Sequence, residues 1–250
     1  MNDFSLRRIC YYVCMRTLFC LTLLVCLVAS PAMAQNTEGL DLPITEPVFG
    51  SKPNVTPPVP PPPPTAEDPR DEPPPVFYGE DIESATKSVI YVIDISGSMD
   101  WAYMRPVSRW ESARKELNRS IDGLPSDYTF NIIAYNSSIM SWKEARVRVT
   151  PGTKKEAQAW VNSLKPDGAT ATGPAVAIAL EDRENMCIVL LTDGAPNAPI
   201  EDPAWHRDLI RRQNFQHAKI HVFGVDAQGE MRSFCQSVAS DSGGTYVDIN

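Results

Sequence analysis

The chain has 250 residues, 43% of them hydrophobic, and carries a formal net charge of −8. That acidic balance excludes the broad basic surface that neutralises phosphates, so nucleic acid is not expected as a partner. It does not exclude anionic ligands, because a bound cation inverts the local field.

The chain opens like an exported protein. Arg7, Arg8 and Arg16 make a positive start, Leu18 to Ser30 is apolar but short for a membrane span, and Ala32-Met33-Ala34 is a small-x-small cleavage site. Residues 1–34 are therefore read as a signal peptide, and the protein is expected in the periplasm, at the cell surface or in the medium. The alternative is an uncleaved anchor, since Ile9 to Met15 is also apolar. Only then is a membrane expected as a partner. Four of the six cysteines (Cys10, Cys14, Cys20, Cys26) lie in this segment. Cys187 and Cys235 remain, either as a disulfide or as two separate buried thiols.

Of the 23 prolines, 14 fall between Asp41 and Val76. Proline lacks an N–H and has a fixed φ, so this stretch builds neither helix nor central strand. An extended, semi-rigid spacer is expected. Residues 35–83 are assigned to this linker, without fixed structure, and residues 84–250 to one folded domain.

Within that domain, strands and helices alternate. Ser88–Asp94 is a β-branched run, apolar on both faces, as in a buried parallel strand. Trp110, Ala113, Leu117, Ile121 and Leu124 recur at helical spacing. Tyr128–Tyr135 reads as a strand, Arg146–Val149 as a short edge strand, Thr153–Leu164 as a helix and Pro174–Leu180 as a short alanine-rich helix. Then come a strand over Met186–Thr192, a helix over Trp205–His217, a strand over Lys219–Val225, a helix over Glu230–Ala239 and a last strand over Gly244–Ile249. This order predicts an α/β fold: a doubly wound, mostly parallel sheet flanked by helices. In such sheets ligands bind beyond the carboxyl ends of the strands, at the switch point.

Two strand ends stand out there. The first carries Asp94-Ile95-Ser96-Gly97-Ser98 and the second Thr192-Asp193-Gly194, while the loop Asp167-Gly168-Ala169-Thr170 is expected on the same edge. Asp94, Ser96, Ser98, Thr170 and Asp193 offer two carboxylates and three hydroxyls. These are hard oxygen donors, which suit one divalent cation, Mg²⁺, Mn²⁺ or Ca²⁺, and disfavour zinc. Thr172 is an alternative to Thr170. Asp100 is read as a solvated loop residue, and Trp101 as either a rim residue or one tucked into its own domain. His206 is expected to begin or flank an exposed helix.

Asp94-x-Ser96-x-Ser98, with Thr170 and Asp193, resembles the metal-ion-dependent adhesion site of von Willebrand factor A and integrin I domains. The resemblance covers about Ser84 to Asn250. One departure is Gly168-Ala169-Thr170, where the family often has Gly-Gly-Thr. The resemblance implies a Rossmann-like fold, and direct coordination by Ser96 and Ser98. Thr170 would coordinate directly or through water, with Asp94 and Asp193 acting largely through waters. It implies a non-catalytic module for adhesion or assembly, whose cation grips an Asp or Glu of a partner protein, with no small-molecule substrate. The competing readings are a metal-dependent hydrolase and a metal-free structural scaffold. No nucleophile elbow, Walker or dinucleotide motif favours an enzyme.

Overall fold

The computed structural model describes residues 73–102 and 106–249. The expected signal peptide and nearly all of the proline-rich spacer lie outside the described residues. Among those described, no helix is long and apolar enough to cross a membrane.

The folded unit is built in chain order from a hairpin, β1 (Val76–Phe77) and β2 (Glu80–Asp81), then β3 (Ser88–Asp94), a 3₁₀ turn (Gly97–Asp100), α1 (Arg109–Asp122), β4 (Thr129–Tyr135), β5 (Ile139–Ser141) and β6 (Val147–Arg148). It continues with α2 (Pro151–Ser163), α3 (Thr172–Ala179), β7 (Cys187–Thr192), α4 (Pro203–Gln213), β8 (Lys219–Val225), α5 (Gly229–Ser242) and β9 (Tyr246–Ile249). The main sheet runs β5-β4-β3-β7-β8-β9, with β6 pairing beside β5 on β4. The pairs β3–β4, β3–β7, β7–β8 and β8–β9 are parallel, while β5 and β6 are antiparallel to β4. This is the expected fold class.

The two-sided apolar runs divide strictly between the faces. From β3, Val89, Tyr91 and Ile93 join one core with α1 and α2, while Ile90 and Val92 join the other with α3, α4 and α5. β7 divides likewise, with Cys187, Val189 and Leu191 on the first face and Ile188 and Leu190 on the second. Each fully buried Val, Leu or Ile contributes about 1.5–3 kcal/mol relative to exposure. This packing is why the chain holds β3 and β7 side by side. It also settles the cysteines: Cys187 packs in the first core and Cys235 in the second, and both are free thiols.

Helix starts follow their caps rather than their apolar stripes. α2 begins at Pro151, two residues before the expected Thr153, because Thr150 caps it by accepting from Thr153 N at 3.1 Å and proline suits the first position. α4 begins at Pro203 behind Asp202, whose Oδ1 accepts from Ala204 N at 2.9 Å. It stops at Gln213, short of the expected His217. There Asn214 turns the chain by bonding both the N–H and the carbonyl of Ala218 at 2.8 Å.

The packed unit also starts earlier than the Ser84 expected from composition. The β1–β2 hairpin turns at Tyr78-Gly79, both with positive φ (48° and 86°), and Ile82 N donates to Pro75 O at 2.8 Å. Phe77 and Ile82 are fully buried in the first core. Neither this hairpin nor β5 carries enough alternation to read as a strand in sequence.

Candidate metal centre

The sheet order creates the switch point. From β3 the chain crosses through α1 to β4 on one side. It later returns to β7 on β3's other side and moves on to β8 and β9. The carboxyl ends of β3 and β7 are therefore adjacent, with connections leaving in opposite directions, which opens a crevice between their loops. Asp94 ends β3 and Asp193 follows β7.

All five expected residues come to this edge. Asp94, Ser96, Thr170 and Asp193 are buried and Ser98 is half-buried. Asp94 Oδ1 accepts from Ser96 N at 2.8 Å and Oδ2 from Thr192 Oγ1 at 2.7 Å. These bonds turn the first loop so that Ser96 Oγ and Ser98 Oγ lie 3.1 Å apart. Ser98 Oγ in turn donates to Asp193 Oδ1 at 2.9 Å, across 95 residues of sequence. Thr170 is delivered by backbone stitching: Gly97 N donates to Gly168 O at 3.0 Å and Asp167 N to Ile95 O at 2.9 Å. Gly168 has a φ of +77°, and a Cβ there would lie 2.6 Å from Ser137 Oγ, so both conformation and space demand glycine. An atom placed as a Cβ on Gly194 would stand 3.7 Å from Ser98 Oγ and 3.8 Å from Thr170 Oγ1. Two hydroxyls from separate loops thus face one point. No Thr172 atom lies that near.

The electrostatics suit a dication. Burial, then repulsion from Asp193, pushes the Asp94 carboxyl up to about 7. Burial also raises Asp193, opposed by Ser98 and Arg109. Two carboxylates forced together away from water are relieved by a double positive charge, and the hydroxyl oxygens beside them are hard donors. Among the described residues no cluster of three His, Cys, Asp or Glu side chains exists. Any ion held here must therefore rely on the hydroxyls.

Several residues of this edge were not expected. Arg109, the first residue of α1, donates from Nη1 to Asp193 Oδ2 at 2.8 Å and from Nε to Asp226 Oδ2 at 3.0 Å. Nothing in its local sequence marks it, because its partners are 84 and 117 positions away. Thr192 binds Asp94 and was visible as the residue before Asp193-Gly194. Asn197 ties the loop after β7 to the third loop, its Oδ1 accepting from Thr170 N at 2.7 Å and its N–H donating to Thr170 O at 3.0 Å. Trp101, three residues beyond Ser98, is 61% exposed and so is not tucked into the core. Asp100 is exposed, as expected.

His206 does not lie on an exposed face: it is fully buried. Its Nδ1 accepts from Gly173 N at 2.9 Å, so Nε2 carries the proton and donates to Ile200 O at 2.8 Å. The ring pins the loop after Asp193 to the first turn of α3. Burial holds its pKa below the ordinary 6.5. The unfolded chain therefore takes up this proton first, and the stability contributed by His206 is complete above about pH 6.5 and lost as the pH falls. The gap in unfolding midpoint between wild type and His206→Gln should accordingly be wider at pH 7.5 than at pH 5.5. A constant or inverted gap would show that the neutral ring is not what matters.

Comparison with known proteins agrees with this architecture. The profile for the von Willebrand factor type A domain matches residues 87–248. Over 182 residues the chain is 28% identical to inter alpha-trypsin inhibitor heavy chain 4 of Mus musculus, covering 67% of this chain and 18% of that protein. Over 122 residues it is 30% identical to von Willebrand factor A domain-containing protein 3B of Homo sapiens, covering 48% of this chain and 9% of that protein. The chain thus spans under a fifth of the length of these two relatives. Among solved structures, a von Willebrand factor type A protein from Catenulispora acidiphila superposes with a TM-score of 0.57 at 22% identity, over 65% of this chain and 38% of that one. The PilB minor pilin from Streptococcus sanguinis superposes at 0.54 with 20% identity, over 64% and 56%. At such identities these two likenesses speak for the fold alone. With the profile spanning most of the chain and the switch-point geometry in place, the protein belongs to the von Willebrand factor type A domain family.

Proposed function

We propose that this chain is an exported, non-catalytic binding module that holds one divalent cation, Mg²⁺ first, at Asp94, Ser96, Ser98, Thr170 and Asp193, and uses it to grip an Asp or Glu of a partner protein. Domains of this family typically bind proteins, which supports the reading. The observation that carries it is the convergence of three uncharged hydroxyls with only two carboxylates at the switch point. Hydroxyl donors leave a cation under-neutralised, so an anionic oxygen from outside completes it, displacing a water that Mg²⁺ would otherwise keep. An exposed Trp101, three residues beyond Ser98, suits a protein surface, since aromatic side chains are favoured binding anchors.

A hydrolase would need a base and a clamp for the transferred group. The two nitrogens of His206 are both occupied, and Arg109 is committed to Asp193 and Asp226. The expected signal peptide would place the domain outside the cytoplasm, at the cell surface or in the periplasm.

The test is binding of Asp- and Glu-containing peptides to the full chain with Mg²⁺ and after EDTA. Acidic peptides should bind only with the cation, and their Asn and Gln counterparts not at all. Binding that survives EDTA would remove the metal from the mechanism.

A further inference from the structure

Arg109 sits where a metal centre does not need a positive charge. Its guanidinium takes Asp193 Oδ2 at 2.8 Å while Asp193 Oδ1 accepts from Ser98 Oγ at 2.9 Å, so one carboxylate is shared between the hydroxyl cluster and an internal cation. The same guanidinium reaches Asp226 Oδ2 at 3.0 Å, beyond the end of β8, and Ser98 O at 3.5 Å. The Arg109 side chain is 14% exposed, that of Asp193 0% and that of Asp226 21%. Solvent and salt therefore screen these charges weakly.

We propose that Arg109 is a built-in counter-ion to Asp193 that lowers the affinity of this centre for a cation. This rests on the metal reading above. The carboxylate of Asp193 that faces the hydroxyl cluster is already in contact with one cation, the guanidinium, which competes with a bound ion for it. Arg109 and Asp226 cancel in formal charge, but the guanidinium is the partner in contact with Asp193 and so sits between that carboxylate and Asp226. The affinity is thus set by how the guanidinium is divided between Asp193 and Asp226. Arg109 acts on the ion through Asp193 and is a positioning residue, not a ligand.

A purely structural role predicts the opposite sign, because loosening Asp193 would weaken ion binding. The measurement is Mn²⁺ affinity of the full chain, read by counting free Mn²⁺ with electron paramagnetic resonance. Arg109→Gln should bind about tenfold tighter or more, as loss of a nearby like charge dictates. Arg109→Lys keeps the charge but not the fork that spans two carboxylates, and should bind more tightly than wild type by less than Arg109→Gln does. Asp226→Asn removes the negative charge that shares the guanidinium with Asp193 and should bind several-fold more weakly.

Unchanged or weaker binding in Arg109→Gln overturns the proposal, as does Arg109→Lys binding as tightly as Arg109→Gln. If Arg109→Gln fails to fold, Asp226→Asn decides: unchanged or tighter binding overturns it. A wild type that binds no Mn²⁺ overturns the metal reading together with this role. A wild type that binds Mn²⁺, with variants of the wrong sign, overturns this role alone.

Discussion

Saturating Mg²⁺ or Mn²⁺ is expected to raise the unfolding midpoint of the protein by about 5–10 °C over EDTA, and Ser96→Ala is expected to abolish that rise. An ion at about a hundredfold over its Kd stabilises by roughly 2.7 kcal/mol, and each kcal/mol moves the midpoint of a domain of this size by about 2–4 °C. Ser96 is the sharpest probe because it is buried and its hydroxyl bonds only other residues of the cluster, Ser98 Oγ at 3.1 Å and the Asp94 carboxylate. Removing it should cost the fold only about 1 kcal/mol, since Ser98 keeps its bond to Asp193. The variant therefore folds, and loss of the metal response is a statement about the site. Asp94→Ala is less clean, because it removes the acceptor of both Thr192 Oγ1 and the buried Ser96 N. Thr170→Ala should reduce the rise and Thr172→Ala leave it intact. A wild-type midpoint indifferent to Mg²⁺, Mn²⁺ and Ca²⁺ at millimolar concentrations would turn the site into inherited geometry and the protein into a scaffold.

The fold was legible where one physical signal dominated. β3, β7 and β8 are buried on both faces, so unbroken apolar runs ending in Asp94, Thr192 and Val225 mark them within a residue. The shared edge of the five candidate residues was legible because they close strands or sit in a glycine-bearing loop, and strand ends are where such sheets place chemistry. What stayed hidden depends on long-range pairing. Arg109 is an ordinary first-turn residue until the fold brings Asp193 and Asp226 to it. His206 sits in a polar, arginine-rich helix and gives no sign that both its nitrogens serve backbone groups. β1 and β2 are two residues each and follow a proline run, so composition assigned them to the spacer.

That hairpin yields the largest stability effect. Phe77→Ala is expected to destabilise the protein by about 3–5 kcal/mol, the range for deleting a buried phenylalanine. Phe77 has no exposed surface and stands edge-on to Phe223 at 4.7 Å, with Tyr91 at 5.8 Å. Tyr78 stacks on the same Phe223 at 6.0 Å and anchors its N–H on Glu116 of α1. The hairpin thus closes the first core over β3 and β8 on the face that α1 shares. Ile82→Ala should add a further loss of about 2–5 kcal/mol, because it too is fully buried. Glu80→Ala, exposed in the same hairpin, should stay within about 0.5 kcal/mol. Urea unfolding of the three variants separates the cases. A loss under about 1 kcal/mol for Phe77→Ala would mean that the hairpin is laid on the domain rather than built into it, and that the spacer does run to Ser84. The expected loss would fix the start of the folded unit near Pro75, making the last prolines of the spacer the first residues of the domain.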